Sequence, residues 1–210
     1  MLDRSAAWFT CTICGNAADV TLTVPLLKKA SRIKLLLLDV DGVLTDGKVL
    51  IHSDGSESKQ FDIRDGTGLV WAQRAGLGVG ILSARTSAAT THRAAQLGIP
   101  LVRQGDSSKL QGYDEIRRQQ GLADADIAYL GDDLLDLPLV ERVWFSACPA
   151  DAAREVRTRV DYVCRAKGGQ GAAREVVEVI LKAQGRWAEL LAGYLPRSSQ
   201  AARNRKTRRA

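Results

Sequence analysis

Long apolar runs, paired cysteines and acidic residues near the C-terminus are what this sequence has least of. No stretch approaches the roughly 18 consecutive apolar residues that a membrane-spanning helix needs. The mildly apolar segment 6–14 is short, carries two threonines and follows Asp3 and Arg4, whose charges cancel, so it makes a poor signal peptide. A soluble, cytoplasmic protein is expected. Four cysteines in 210 residues are too few for a disulfide-built scaffold. Cys148 and Cys164 stand alone in apolar segments that read as core strands, which fits a reducing compartment. Cys11 and Cys14 form a C-x-x-C, but tetrahedral zinc needs a second pair of ligands and none stands at a matching spacing. Two small residues in an N-terminal extension are the simpler reading.

Acids are absent beyond Leu195, where Arg197, Arg203, Arg205, Lys206, Arg208 and Arg209 stand without a counterpart. Remove those six from the 30 Lys and Arg and the remaining 24 equal the 24 Asp and Glu, so the formal charge of +6 belongs to a tail. The neutral body argues against a basic nucleic-acid groove on the fold and leaves that class nonspecific contact through the tail.

What is present is the balance of one globular domain, 45% hydrophobic and 26% charged. It is expected to run from 33 to 195, preceded by an extension of low order (1–32) and followed by a disordered basic tail (196–210). No internal repeat occurs. From Ile33 the pattern reads strand, loop, helix, repeated, which predicts an α/β fold with a parallel sheet and helices on both faces. The strand at 33–40 contains Leu35, Leu36, Leu37 and Leu38, a continuous apolar run suited to burial on both sides. Further strands are expected at 79–82, 127–130, 143–147 and 162–164. Between the first strand and the first long helix, the insertion 48–62 has two short strand-like runs around Ser53-Asp54-Gly55, a hairpin signal. A single final helix is predicted over 171–194, with Val176, Val177, Ile180, Leu181, Trp187, Leu190, Leu191 and Tyr194 near a 3.6 period.

Ligands of open α/β sheets bind at the carboxyl ends of the strands. Asp39-Val40-Asp41-Gly42 sits at such an end, where one carboxylate can serve as nucleophile and the other, past the bend at Gly42, as proton donor. An isolated D-x-D-G is as readily a pair of solvated acids or helix caps. A second acidic cluster, Gly131-Asp132-Asp133-Leu134-Leu135-Asp136, follows the run 127–130. Carboxylates gathered from adjacent strand ends repel one another unless a cation intervenes, and an all-oxygen set favours a hard octahedral ion, Mg²⁺ above all. Asp132 and Asp136, four apart, would share a helix face, one on the metal and one on its water shell, while Asp132 or Asp133 also suits a cap. Ser83, read at the start of a helix, offers a hydroxyl, and Lys109 a compact cation, the two groups a phosphate needs.

Taken in order, Asp39/Asp41, Ser83, Lys109 and Asp132/Asp133/Asp136 resemble the D-x-D-G, Ser/Thr, Lys and G-D-D-x-x-x-D pattern of the haloacid dehalogenase superfamily. L-L-L-L-D-V-D-G-V-L-T-D-G, F-D-I-R-D-G-T-G, Q-G-D-S-S-K-L, G-D-D-L-L-D-L-P and G-G-Q-G-A-A-R-E, spread over about 33–192, are similar to the superfamily's 3-deoxy-D-manno-octulosonate 8-phosphate phosphatases. The resemblance implies a Rossmann-like core with no large cap domain, a β-hairpin flap at 48–62, and a homotetramer in which a neighbouring subunit helps close the site. It would give Gly168-Gly169-Gln170-Gly171 a role there, where the residues alone suggest a flexible turn. It also implies a small sugar-acid phosphate as substrate, in lipopolysaccharide sugar supply. Asp39 would be the nucleophile, Asp41 the acid and base, and Ser83 and Lys109 the phosphate donors. Mg²⁺ would lie on the Asp39 and Asp132 carboxylates and the Asp41 main-chain carbonyl. Arg64 and Arg85 are expected to anchor the substrate's carboxylate or phosphate. Ser83-Ala84-Arg85 departs from the usual Thr-Gly-Arg, keeping the hydroxyl but stiffening the turn. A phosphatase for nine-carbon sialic-type sugar-acid phosphates would share every catalytic residue. A non-enzymatic phospho-acceptor module is the competing class, and the second Asp of D-x-D-G argues for turnover instead.

Overall fold

A computed structural model describes residues 23–105 and 108–195. The leucine run forms β1 (Leu35–Leu38), fully buried at the centre of a six-stranded sheet. Its neighbours are β4 (Gly78–Ser83) and β6 (Ile127–Leu130), and the sheet continues outward to β5 (Leu101–Gln104) on one side and to β7 (Phe145–Cys148) and β8 (Tyr162–Val163) on the other. All the pairings are parallel. Because successive strand residues face opposite ways, Leu36 and Leu38 enter one core layer with residues of α1 (Val24–Ser31), α2 (Ile63–Arg74) and α7 (Ala172–Ala183). Leu35 and Leu37 enter the other layer, against Tyr113 and Ile116 of α4 (Lys109–Gln119), Leu139 and Val140 of α5 (Leu137–Val140) and Val156 of α6 (Arg154–Arg157). The α/β fold with helices on both faces is therefore present.

The insertion forms the expected hairpin, β2 (Leu50–Ile51) antiparallel to β3 (Glu57–Ser58), turning at Gly55 with φ +83°. Three features differ from the sequence reading. First, β5 was not among the expected strands: Leu101 and Val102 are followed by Arg103 and Gln104, half-buried at the sheet edge, so no apolar run marks it. Second, the final helix is two: α7 stops at Ala183 and α8 (Trp187–Ala192) starts anew, because Gly185 adopts φ +72° between them. Third, α1 lies inside the stretch 1–32 read as an extension of low order; it packs along α7, and Lys29 pairs with Asp161 at 2.6 Å. Cys11, Cys14 and the basic tail lie outside the described residues. Cys148 and Cys164 are buried free thiols, as the apolar segments predict. Among the described residues no helix is long and apolar enough to cross a membrane.

The order β5-β4-β1-β6-β7-β8 places β1 where the chain switches sides, with β4 and β6 flanking it. That crevice at the strands' carboxyl ends is the ligand position of an open α/β sheet.

Candidate active site

Asp39 directly follows β1, and its N–H still donates to the Leu130 carbonyl at 3.0 Å, so the sheet fixes its backbone. The chain then turns: the N–H groups of Val43, Leu44 and Thr45 all donate to the Val40 carbonyl, at 2.9–3.2 Å. Gly42 makes the bend possible. Its φ is +84°, and a Cβ there would lie 2.0 Å from Asp132 Oδ2. Asp39, Asp41, Ser83, Ala84, Arg85, Lys109, Asp132, Asp133, Leu135 and Asp136 line one cleft of about 310 Å³. A larger cavity of about 580 Å³, lined by Arg74, Arg186, Leu190 and Tyr194, holds none of these carboxylates.

At the floor of the cleft Lys109, the first residue of α4, reaches inward with its side chain 4% exposed. Its Nζ donates to Asp39 Oδ2 at 2.7 Å, to Asp136 Oδ1 at 2.5 Å and to Tyr129 Oη at 3.2 Å. Burial works against the Lys109 charge, but Asp39 and Asp136 outweigh it and hold its pKa above the ordinary lysine value. For Asp39 burial is the largest influence and raises the pKa, opposed by Lys109 and reinforced by Asp136.

Asp136 is fully buried, and all its acceptor positions are spoken for. Oδ1 takes Lys109 and the Tyr129 hydroxyl at 2.6 Å, and Oδ2 takes the N–H groups of Asp132 at 2.8 Å and Asp133 at 3.1 Å. The four-residue spacing suggested a helix face shared with Asp132. The chain instead makes a 3₁₀ turn, Leu134–Asp136, and Asp136 folds back to anchor the lysine and the loop, with no lone pair left for a water shell. Asp133 is exposed and caps that turn, accepting from Leu134 N–H at 2.8 Å. Ser83 ends β4, 2% exposed, with the Arg85 N–H 3.4 Å from its Oγ; α3 (Ala88–Gln96) begins five residues later, so Ser83 is a strand-end residue rather than a helix cap.

Arg85 lines the cleft, 2.9 Å from Glu57 of the flap and 3.7 Å from Asp41. Arg64 is outside the lining residues: at the start of α2 it contacts Asp62 and the Gln170 carbonyl, at 3.4 and 3.3 Å. Two residues of the site escaped the sequence reading. Lys59, just past β3, has a side chain 0% exposed and donates to both Asp41 oxygens, at 2.6 and 2.8 Å. Tyr129 is a fully buried β6 residue whose hydroxyl sits between Lys109 and Asp136.

Among the described residues Asp39, Asp132 and Asp136 bring carboxylate oxygens within 4.8 Å of one another, and with Asp136 engaged by its four donors the carboxylates left to meet a metal ion are Asp39 and Asp132. The donor chemistry fits a hard divalent cation. Among the described residues Asp132 Oδ1 is buried with no hydrogen-bond partner, and burial, together with Asp136 and Asp39, pushes the Asp132 pKa up to about 8. An orphaned acid this costly to ionise is what a cation would relieve. The consequence for stability follows from linkage. Between the ordinary value of 3.8 and about 8 the native state binds a proton that the unfolded chain has lost. Metal-free protein is therefore expected to lose stability as pH rises through that window. Added Mg²⁺ is expected to raise the melting temperature more at pH 8.5 than at pH 6, since cation and proton compete for the carboxylate. Thermal unfolding at the two pH values, with and without Mg²⁺, checks this; an equal shift at both would contradict it.

Comparison with protein-family models matches none. The chain is 40% identical over 168 residues to the 3-deoxy-D-manno-octulosonate 8-phosphate phosphatase KdsC of Escherichia coli (strain K12), covering 80% of this chain and 89% of that one. The crystal structure of 3-deoxy-D-manno-octulosonate 8-phosphate phosphatase from Yersinia pestis superposes with a TM-score of 0.81 at 36% identity, covering 86% of this chain and 95% of that one. The enzyme of the same name from Moraxella catarrhalis, solved in complex with a magnesium ion, a phosphate ion and a KDO molecule, gives 0.79 at 37% identity, over 81% and 98%. With nearly their whole length matched in sequence and fold, the chain belongs to the 3-deoxy-D-manno-octulosonate 8-phosphate phosphatase family of the haloacid dehalogenase superfamily.

Proposed function

We propose that this protein hydrolyses 3-deoxy-D-manno-octulosonate 8-phosphate to the free sugar acid and phosphate through an aspartyl-phosphate on Asp39. The observation that carries the reading is the meeting of Asp39, Asp41, Ser83, Lys109 and Asp132 in one cleft beside the central strand, in a chain whose relatives carry that activity as their name. Mg²⁺, held by the Asp39 and Asp132 carboxylates and the Asp41 main-chain carbonyl, would supply the positive charge that lets a carboxylate approach a phosphate dianion.

In the first half-reaction an Asp39 oxygen forms a bond to phosphorus as the ester P–O bond breaks, and Asp41 gives its proton to the departing sugar oxygen. In the second, Asp41 takes a proton from the water that attacks the aspartyl-phosphate, releasing phosphate and restoring Asp39. Lys59, donating to both Asp41 oxygens, lies beside the group that would pass this proton. Ser83 and Lys109 stabilise the phosphoryl oxygens as charge develops, a role in which losing one donor commonly costs about 10² to 10³ in rate. Arg85, within the cleft, is the better placed of the two arginines to meet the substrate.

The same reading takes the protein as a cytoplasmic homotetramer. Exposed apolar side chains on the flap and beside the cleft, Leu50, Ile51, Ile63, Leu134 and Leu135, support an assembly in which a neighbour covers them. Phosphate release measured with Mg²⁺ across 3-deoxy-D-manno-octulosonate 8-phosphate, sialic-type 9-phosphates and simple sugar phosphates tests the substrate. A kcat/KM at least about tenfold higher for the eight-carbon acid is expected. Equal or better turnover of the nine-carbon acids would keep the machinery and discard this substrate.

A further inference from the structure

We infer that Gly168 is a positioning residue for the catalytic loop: its bare α-carbon lets the turn 165–171 brace the backbone of 41–45 from behind. This deepens the phosphatase reading and rests on it. A Cβ built on Gly168 would lie 1.8 Å from the Gly42 carbonyl oxygen, 2.6 Å from the Gly42 carbonyl carbon and 3.0 Å from the Thr45 carbonyl oxygen. Every one of these atoms is backbone, so no side chain can swing aside to make room. The contact continues at Gly169, which has φ +61°, whose N–H donates to the Val43 carbonyl at 2.9 Å, and where a Cβ would lie 2.6 Å from the Thr45 carbonyl carbon.

The other face of the loop is equally close to its neighbour, since a Cβ on Gly42 would meet Asp132 Oδ2 at 2.0 Å. The loop bearing Asp41 is thus held between the turn and the carboxylate that completes the metal-binding set. The turn has its own anchors. Gly168 N–H donates to Asp151 Oδ1 at 3.0 Å, while Asp65, only 2% exposed, accepts from Gly171 N–H at 3.1 Å and Arg174 N–H at 2.8 Å. Glu175 accepts from the N–H groups of Arg165 and Ala166 at 3.1 Å. A methyl group at 168 therefore displaces the loop rather than the turn, and it does so toward Asp132. Gly168 is not among the left-handed glycines, so the obstacle to a side chain there is the neighbouring backbone. The effect is steric and falls on the site.

The test compares Gly168→Ala and Asp151→Ala with the wild type. Asp151 is exposed, and its replacement removes the tether of the turn without adding an atom. For Gly168→Ala, kcat is expected to fall about a hundredfold, the size of loss that a misplacement near 1 Å produces, with KM changed less than about threefold and the circular dichroism spectrum retained. Calorimetric titration with Mg²⁺, which needs no turnover, should show affinity weakened about tenfold or more. Asp151→Ala should show the same pattern, reduced to a few-fold, and it decides the matter if Gly168→Ala does not fold. Wild-type kcat and Mg²⁺ affinity in folded Gly168→Ala, or in Asp151→Ala where that variant decides, would overturn the inference. A wild-type protein that turns over no sugar phosphate would remove the phosphatase reading alone, and the Mg²⁺ titrations would then judge the brace.

Discussion

Asp39→Asn is expected to abolish phosphate release while leaving the fold intact. On the proposed mechanism the substitution removes the nucleophile and one negative charge of the metal-binding set together. Asparagine keeps an oxygen for Lys109 Nζ or the Val40 N–H, which now donate to the two carboxylate oxygens at 2.7 Å each. It also removes a buried acid whose pKa burial raises, so the native state loses a carboxylate it ionises at a cost. Lys109 retains Asp136 as its counter-ion. Residual kcat above about a hundredth of wild type would remove Asp39 from the nucleophile's role. A melting temperature lowered by more than about 10 °C would show instead that the variant tests folding.

The largest loss of stability is expected from Asp136→Ala. This carboxylate joins four donors from three places in the chain: Lys109 Nζ, the Tyr129 hydroxyl and the N–H groups of Asp132 and Asp133. Removing it leaves the ammonium with Asp39 as its one carboxylate partner and strips two half-buried N–H groups of their acceptor. Breaking a buried ion pair from one side typically costs about 3–5 kcal/mol, which for a domain of this size lowers the melting temperature by roughly 6–20 °C. Asp136→Asn, which preserves the shape and one acceptor oxygen, should cost less than the alanine variant. Urea denaturation of the three proteins measures the difference, and a loss below about 1 kcal/mol for Asp136→Ala would show that the network does not anchor the loop.

Those two residues also mark how far the sequence reaches. The position of Asp39 is legible because four consecutive leucines declare a strand buried on both faces, and a D-x-D-G at its carboxyl end has one place to go. The acids at 132, 133 and 136 are legible as a cluster for the same reason, after a strand whose bounds, 127–130, are those of β6. Their division of labour is not. Which carboxylate faces the cleft, which caps and which folds back depends on a 3₁₀ turn that spacing alone reads as a helix face. Lys59 escapes because a lysine just past a short polar hairpin strand looks like a solvated charge until the fold sets it against Asp41. Tyr129 escapes because an aromatic residue in a core strand announces packing, and its hydroxyl gains a role only from Lys109 and Asp136 arriving from elsewhere in the chain. The edge strand β5 and the break at Gly185 fail for local reasons, polar residues at the sheet edge and a single left-handed glycine in an otherwise amphipathic run. Gly168 is legible as part of Gly168-Gly169-Gln170-Gly171, which the residues alone read as a flexible turn, but its brace on the catalytic loop is not, since the backbone it would strike lies over a hundred positions earlier in the sequence.

The central claim is that Asp39 carries the phosphoryl group and Asp41 releases it. The most direct measurement uses Asp41→Asn with p-nitrophenyl phosphate, whose leaving group needs no proton donor, followed by acid quench and peptide mapping. A stoichiometric burst of nitrophenol is predicted, with a phosphoryl group on the peptide containing Asp39 that persists because its hydrolysis lacks a base. Phosphoryl label on any other residue, or steady turnover without a burst and without label, would contradict the account.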